Sequence, residues 1–166
     1  MGSLQASVYV QQMRLEALCQ NAGRIVRGTV VNVSRGQVEV GGGLLPTVVY
    51  KIQVKENLAG TPAELVVLTM VARPKSPTQA GNATRLALVE LPQLEEGKEY
   101  LLFTTKPSKA GLTSPVGLAQ GCFSISKSGK TEFAVNGVDN AGLGLPSKGP
   151  IAYQELVKRI RTLRPN

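Results

Sequence analysis

Hydrophobic residues Met13, Leu15, Leu18 and Cys19 recur at near-helical spacing, and Asn21-Ala22-Gly23 supplies a stop, so the pattern predicts a helix from Gln11 to Asn21. Beyond Gly23 the period shortens to two. Arg24 to Ser34 reads as a strand, and Gly28 inside it marks a bulge or sharp bend. The polar stretch ending in Gly41-Gly42-Gly43 reads as a hairpin loop. Thr47 to Val54 alternates cleanly, with Val48, Tyr50, Ile52 and Val54 on one face and Lys51, Gln53 and Lys55 on the other. Leu65 to Val71 is nearly all apolar, which predicts a strand buried on both sides or a barrel strand.

The second half continues in short β-prone pieces. A proline-broken polar insert, Arg73 to Thr84, reads as a mobile loop and is followed by a short strand at Arg85 to Glu90. Glu99 to Thr105 and Gln120 to Ser126 read as strands, and a turn at Ser128-Gly129-Lys130 leads into Thr131 to Val135. Asn136 to Gly149 is a glycine-rich loop. Over 150–163, Ile151, Leu156, Val157, Ile160 and Leu163 share one face, and the basic last turn suits the helix dipole. Ser7 to Val10 is a further short β-prone segment. The order is a short helix, five to seven antiparallel strands and a C-terminal amphipathic helix, without an internal repeat. Many short strands with Gly/Pro turns fit a small barrel or sandwich, and the glycine-bent first strand favours an OB-type β-barrel. Residues 1–10 read as an N-terminal arm whose Met-Gly-Ser start is a cloning remnant, and 11–166 as a single OB-like domain.

Composition narrows the class. At 166 residues the chain can bury roughly two thirds of its unfolded surface, so one domain can build a core without metals. It is 42% hydrophobic and 18% charged, with 18 glycines and 10 prolines, a globular composition rich in turns. No apolar run approaches the ~20 residues of a membrane span. The net charge of +8 suggests nucleic acid or another anionic surface. Most basic residues are scattered singly, however, and the densest groups are Lys106/Lys109, Lys127/Lys130 and the tail Lys158, Arg159, Arg161 and Arg164. Solvated faces account for most of them.

Catalytic chemistry is poorly equipped. Without any histidine, Ser-His-Asp, Cys-His and imidazole metal sites are all excluded. Asp139 is the only aspartate, and Glu95, Glu96 and Glu99 cluster at a turn where solvent is their expected environment. Ser124-Ile-Ser-Lys127 satisfies S-x-x-K, but that spacing works on a helix, and a strand sends Ser124 and Lys127 to opposite faces. The glycine-rich runs lack a phosphate-loop pattern, so no enzyme, cofactor or metal is expected. Aromatics bear on nucleic acid. Tyr50, Phe103, Phe123 and Phe133 each share a face with apolar neighbours, as core residues do, with only Tyr100 an exception beside Glu99. A base-stacking platform is therefore not expected. The two cysteines could be buried core thiols, a disulfide or reactive groups; no histidine or basic cluster adjoins Cys19 to activate it.

Leu18-Cys-Gln-Asn-Ala-Gly-Arg-Ile-Val-Arg-Gly-Thr-Val30 resembles the opening of the netrin/tissue-inhibitor-of-metalloproteinases superfamily, where a helix ends near a cysteine and leads into the first barrel strand. Tyr50 to Gly60 and Gly97-Lys-Glu-Tyr-Leu-Leu-Phe103 resemble later strands of that superfamily, and Gly117 to Ile125 resembles uncharacterised bacterial secreted proteins of the same type. The likeness runs over 11–135 and departs at Gly23, where the superfamily often carries aspartate. The inhibitors act through an N-terminal cysteine, which this chain lacks, so that mechanism is not carried over. The resemblance implies a disulfide between Cys19 and Cys122 and a periplasmic or extracellular location, with a signal peptide removed ahead of Met-Gly-Ser; a cytosolic protein is the other option. The expected function is non-enzymatic binding of a protein partner, a protease being one class, through the loops carrying Arg73, Lys75, Lys106 and Lys109. The alternative is a single-stranded nucleic-acid binder using Lys106, Lys109, Lys127 and Lys130.

Overall fold

The computed structural model describes residues 11–72 and 92–165. Helix α1 is Leu15–Asn21, followed by β1 (Arg24–Val40), β2 (Gly43–Ala59), β3 (Leu65–Val71) and β4 (Glu99–Thr104). A 3-10 turn at Leu118–Gly121 precedes β5 (Cys122–Ser128), β6 (Thr131–Asn136), β7 (Ile151–Ala152) and helix α2 (Tyr153–Leu163). The strands form one mainly antiparallel seven-stranded sheet in the order β3-β2-β1-β4-β5-β6-β7. The expected loop at Arg73–Thr84 and strand at Arg85–Glu90, and the segment Ser7–Val10, lie outside the described residues.

The first two strands are much longer than their hydrophobic alternation suggested, 17 residues each. Their turn explains the length. Val40 pairs with Gly43, and the two intervening residues, Gly41 and Gly42, have φ of 58° and 82°. A two-residue turn with both φ values positive matches the right-handed twist of its strands, and glycine adopts it without strain. The hairpin therefore zips to its tip instead of opening into a loop.

Gly28 marks a bulge, as its position inside β1 predicts. The β1–β2 register slips between Arg27 and Gly28, and a Cβ at Gly28 would stand 2.5 Å from the Gln53 carbonyl oxygen. Only a residue without a side chain allows that approach.

Side chains alternate between two buried clusters, one on each face of the sheet. On β4, Leu101 and Phe103 join the cluster beneath the helices, with Leu18, Cys19, Ile25, Tyr153, Leu156 and Ile160. Tyr100 and Leu102 join the other, with Val26, Ile52, Leu68, Met70 and Cys122. No α-helix covers this second face among the described residues; Leu118 of the 3-10 turn packs against it, and the sheet curls over it. Thr113 N–H donates to the Thr69 carbonyl of β3 at 2.9 Å, while the adjacent Ser114 carbonyl accepts from Thr105 N–H at 2.9 Å, one residue beyond β4. Strands three places apart in a flat sheet would lie about 14 Å from each other.

Four expectations are corrected. The sheet is curled but not closed into a barrel: no ladder joins β3 to another strand on its outer side among the described residues. Helix α1 begins at Leu15, not Gln11, because Gln120 takes up the backbone ahead of it: its Oε1 accepts from Met13 N–H at 2.7 Å and its Nε2 donates to the Gln11 carbonyl at 2.9 Å. Strand β3 is buried on one side only, with Leu65 51% and Val67 50% exposed. The expected bridge between Cys19 and Cys122 is not formed. Both are free and buried, Cys19 in the cluster under the helices and Cys122 in the cluster on the opposite face. A disulfide needs Cα atoms within about 7 Å and converging Cβ atoms, which the intervening sheet prevents.

Candidate binding cleft at the β3 edge

Among the described residues, strand β3 is an edge. Its residues alternate between Val66, Leu68 and Met70 inside and Leu65 and Val67 outside. Backbone direction alternates too. Thr69 turns both its backbone groups away from β2, its N–H donating to Thr113 Oγ1 at 3.2 Å and its carbonyl accepting from Thr113 N–H. Leu65 and Val67 share that parity, so their N–H and C=O groups also point off the sheet. Among the described residues, no hydrogen bond takes them up.

The opposite bank of the cleft is the junction of β1 and β4. Gly23 N–H donates to the Thr104 carbonyl at 2.7 Å, and the Lys106 side chain lies across Gly23, where a Cβ would sit 2.7 Å from Lys106 Cγ. Glycine at this position is what lets the Lys106 stem settle there. Between the banks is a cavity of about 230 Å³, lined by Arg24, Leu65, Val67, Thr104, Lys106 and Thr113, among others. Arg24 Nη1 donates to the Thr61 carbonyl at 2.5 Å, which holds the guanidinium at the mouth. No carboxylate lines the cavity, although exposed Glu64 is the residue next to Leu65.

Of the residues expected to bind, Lys106 lines this cleft. Lys109 is exposed on the same loop, in a tight turn closed by Gly111 N–H to the Ser108 carbonyl at 2.9 Å, and does not line it. Arg73 and Lys75 lie outside the described residues. Lys127 and Lys130 are elsewhere: Ser124 pairs with Tyr100, so the end of β5 runs past the Glu99 end of β4, whereas Lys106 follows its Thr104 end. The two lysine pairs are therefore about 30 Å apart along the strands and do not form one track.

A second polar cluster lies on the helix-covered face, and the sequence reading missed it. Arg27, only 2% exposed, donates Nε to Glu99 Oε2 at 2.7 Å and Nη1 to Glu132 Oε1 at 2.8 Å. Its guanidinium carbon lies 4.5 Å from the centroid of the buried Tyr153 ring, and the Tyr153 hydroxyl donates to Glu56 Oε1 at 2.6 Å. Glu99 is thus paired, not simply solvated as expected. Hydrogen bonding and then the charge of Arg27 hold the Glu132 carboxyl below its ordinary value. Burial first and the Glu56 bond second push the Tyr153 phenol upward. With Glu99 and Glu132 bound to Arg27 and Glu56 bound to Tyr153, the cluster is a clasp joining β1, β2, β4, β6 and α2. The one available signal was Arg27 between apolar neighbours Val26 and Gly28 in an otherwise hydrophobic strand.

Both thiols are free and buried. Burial raises Cys19 to about 11, against the lowering effect of the Arg164 charge, and raises Cys122 to about 12. Among the described residues no group of three His, Cys, Asp or Glu side chains converges on a metal position, and no helix is long and apolar enough to cross a membrane.

Among the described residues, fold and cleft together define a mainly β protein, a curled antiparallel sheet braced by two helices, with one apolar edge left accessible beside two cations. Compared with known proteins, the chain matches no family model, and no curated protein is similar to it in sequence.

Proposed function

We propose that this chain is a non-enzymatic, exported bacterial module, periplasmic or extracellular, that binds a protein partner at the β3 edge. The observation that carries the binding reading is the cleft where exposed Leu65 and Val67 face Arg24 and Lys106. Large apolar side chains beside unpaired strand edges mark interaction sites in soluble proteins. Export and the OB-type barrel of the netrin/metalloproteinase-inhibitor superfamily rest on the resemblance of 11–135; the curl that brings Thr113 to Thr69 supports a barrel opened at one seam. A protease remains one partner class suggested by that resemblance.

Two measurements test the reading. A displayed random-peptide library panned against the immobilised protein should enrich sequences that lose binding to Val67→Asp. No enrichment, or enrichment indifferent to Val67→Asp, overturns it. Labelled single-stranded DNA should give no anisotropy change at about 50 mM salt, and sub-micromolar binding that weakens steeply with salt would favour a nucleic-acid binder instead.

A further inference from the structure

We infer that the β3 edge takes an extended acidic peptide as an added strand. This rests on the protein-binding reading and specifies its mode. Strand addition uses main-chain hydrogen bonds for affinity and alternate side-chain positions for specificity, and it needs an edge with free outward backbone groups. Leu65 and Val67 present such groups among the described residues, and the chain itself shows that this edge accepts a partner. At Thr69, the next outward position, Thr113 already supplies a backbone donor at 2.9 Å and a side-chain acceptor at 3.2 Å. A guest strand would continue that pairing along Val67 and Leu65, where the banks part to form the cavity.

Among the described residues, the β3 strand also carries no guard of its own. Natural sheets protect exposed edges with lysine, proline, inward charges or bulges. Leu65-Val-Val-Leu-Thr-Met-Val71 carries no charge and no proline, and its register against β2 is unbroken. Thr113 occupies the Thr69 position, so the open edge is the two steps from Leu65 to Val67, about 7 Å of strand and room to pair two or three guest residues.

Charge selects the guest. Arg24 and Lys106 stand on the bank facing β3, and no lining residue is acidic. Carboxylates on the guest side chains that face that bank would meet both cations, while the guest's alternate apolar residues would cover Leu65 and Val67. A second copy of this chain fits less well, because edge-to-edge pairing would bring two sets of the same cations together. Nucleic acid lacks the peptide ladder that the edge offers.

The test uses the full chain and three capped short peptides: one alternating valine with glutamate, the same peptide N-methylated at alternate amides, and one alternating valine with lysine. In NMR titrations the valine–glutamate peptide should shift and protect the Leu65 and Val67 amides. N-methylation of the edge-facing amides should weaken binding about tenfold or more, the equivalent of one or two lost backbone hydrogen bonds. Lys106→Glu should weaken the glutamate peptide severalfold and favour the lysine peptide. Equal binding of the N-methylated peptide, shifts confined to other surfaces, or preference of the wild-type chain for the lysine peptide would overturn the inference. So would peptide-free dimerisation abolished by Val67→Asp, or displacement of the peptide by single-stranded DNA. If the valine–glutamate peptide fails to bind while library-selected peptides still depend on Val67, acidic strand addition falls and the protein-binding reading stands.

Discussion

Arg27 is the residue on which most of the polar architecture converges. Its guanidinium is bound by Glu99 and Glu132 and packed on Tyr153, so removing it leaves two carboxylates facing each other beside a buried ring. Glu99 and Glu132 keep about a quarter of their side chains exposed and can be rehydrated, so Arg27→Ala should lower the unfolding free energy by about 1.5–3 kcal/mol in urea titrations. Arg27→Lys should recover only part of it, because an ammonium cannot engage both carboxylates in the same fork geometry. The sign of the pH effect follows from Glu132. Its carboxyl is held below the ordinary value of 4.5, so the stabilisation is full above that pH and is lost as pH falls through the lowered folded value. Urea midpoints measured from pH 7 to 3 should decline through the acid end, and Glu132→Gln should flatten that decline. None of this was readable in advance. A lone arginine in an apolar strand shows only that it is out of place, and its partners come from strands 72 and 105 positions away in sequence.

At the scale of elements, period and turn chemistry were legible where local rules decide. The faces of β2, the bulge at Gly28, the β5–β6 hairpin and the amphipathic helix α2 follow from spacing and glycine placement. Boundaries were lost where a distant side chain intervenes, as Gln120 does ahead of α1. Gln120→Ala should therefore speed hydrogen exchange at the Met13 amide while leaving α1 folded. Gly28→Ala must push a methyl against the Gln53 carbonyl, and a destabilisation of about 1–3 kcal/mol is expected from thermal or chemical unfolding. The cysteines show the limit of positional analogy. One lies at a helix end and one opens a late strand, as the resemblance requires, yet strand pleating sends Cys122 to the face away from Cys19. In denaturant without reductant, both thiols should alkylate; a mass two hydrogens below the reduced chain with no adducts would restore the bridge.

Over the whole molecule, the sequence implied curvature as a barrel but concealed where it stops, since the sheet curls without closing among the described residues. Apolar β3 implied either burial on both sides or a barrel strand; the first fails, since the curl turns Val66, Leu68 and Met70 inward and leaves Leu65 and Val67 outside. The same geometry divides the +8 charge. Lys106 sits at the cleft and Lys127 and Lys130 at the far end of β4, so charge reversal at Lys127 and Lys130 together should leave peptide binding within about twofold of wild type in the titration above, unlike Lys106→Glu.

The Thr69–Thr113 contact has a kinetic side. The β1–β2 hairpin closes through a two-residue turn and can form early, whereas this contact joins residues 44 apart and comes at the cost of a long loop. Pulsed exchange labelling during refolding should find the hairpin amides protected first and the Thr113 amide late. Under native conditions the same contact should be among the first to open, so that the cleft beside it widens by local fluctuation well before the chain unfolds.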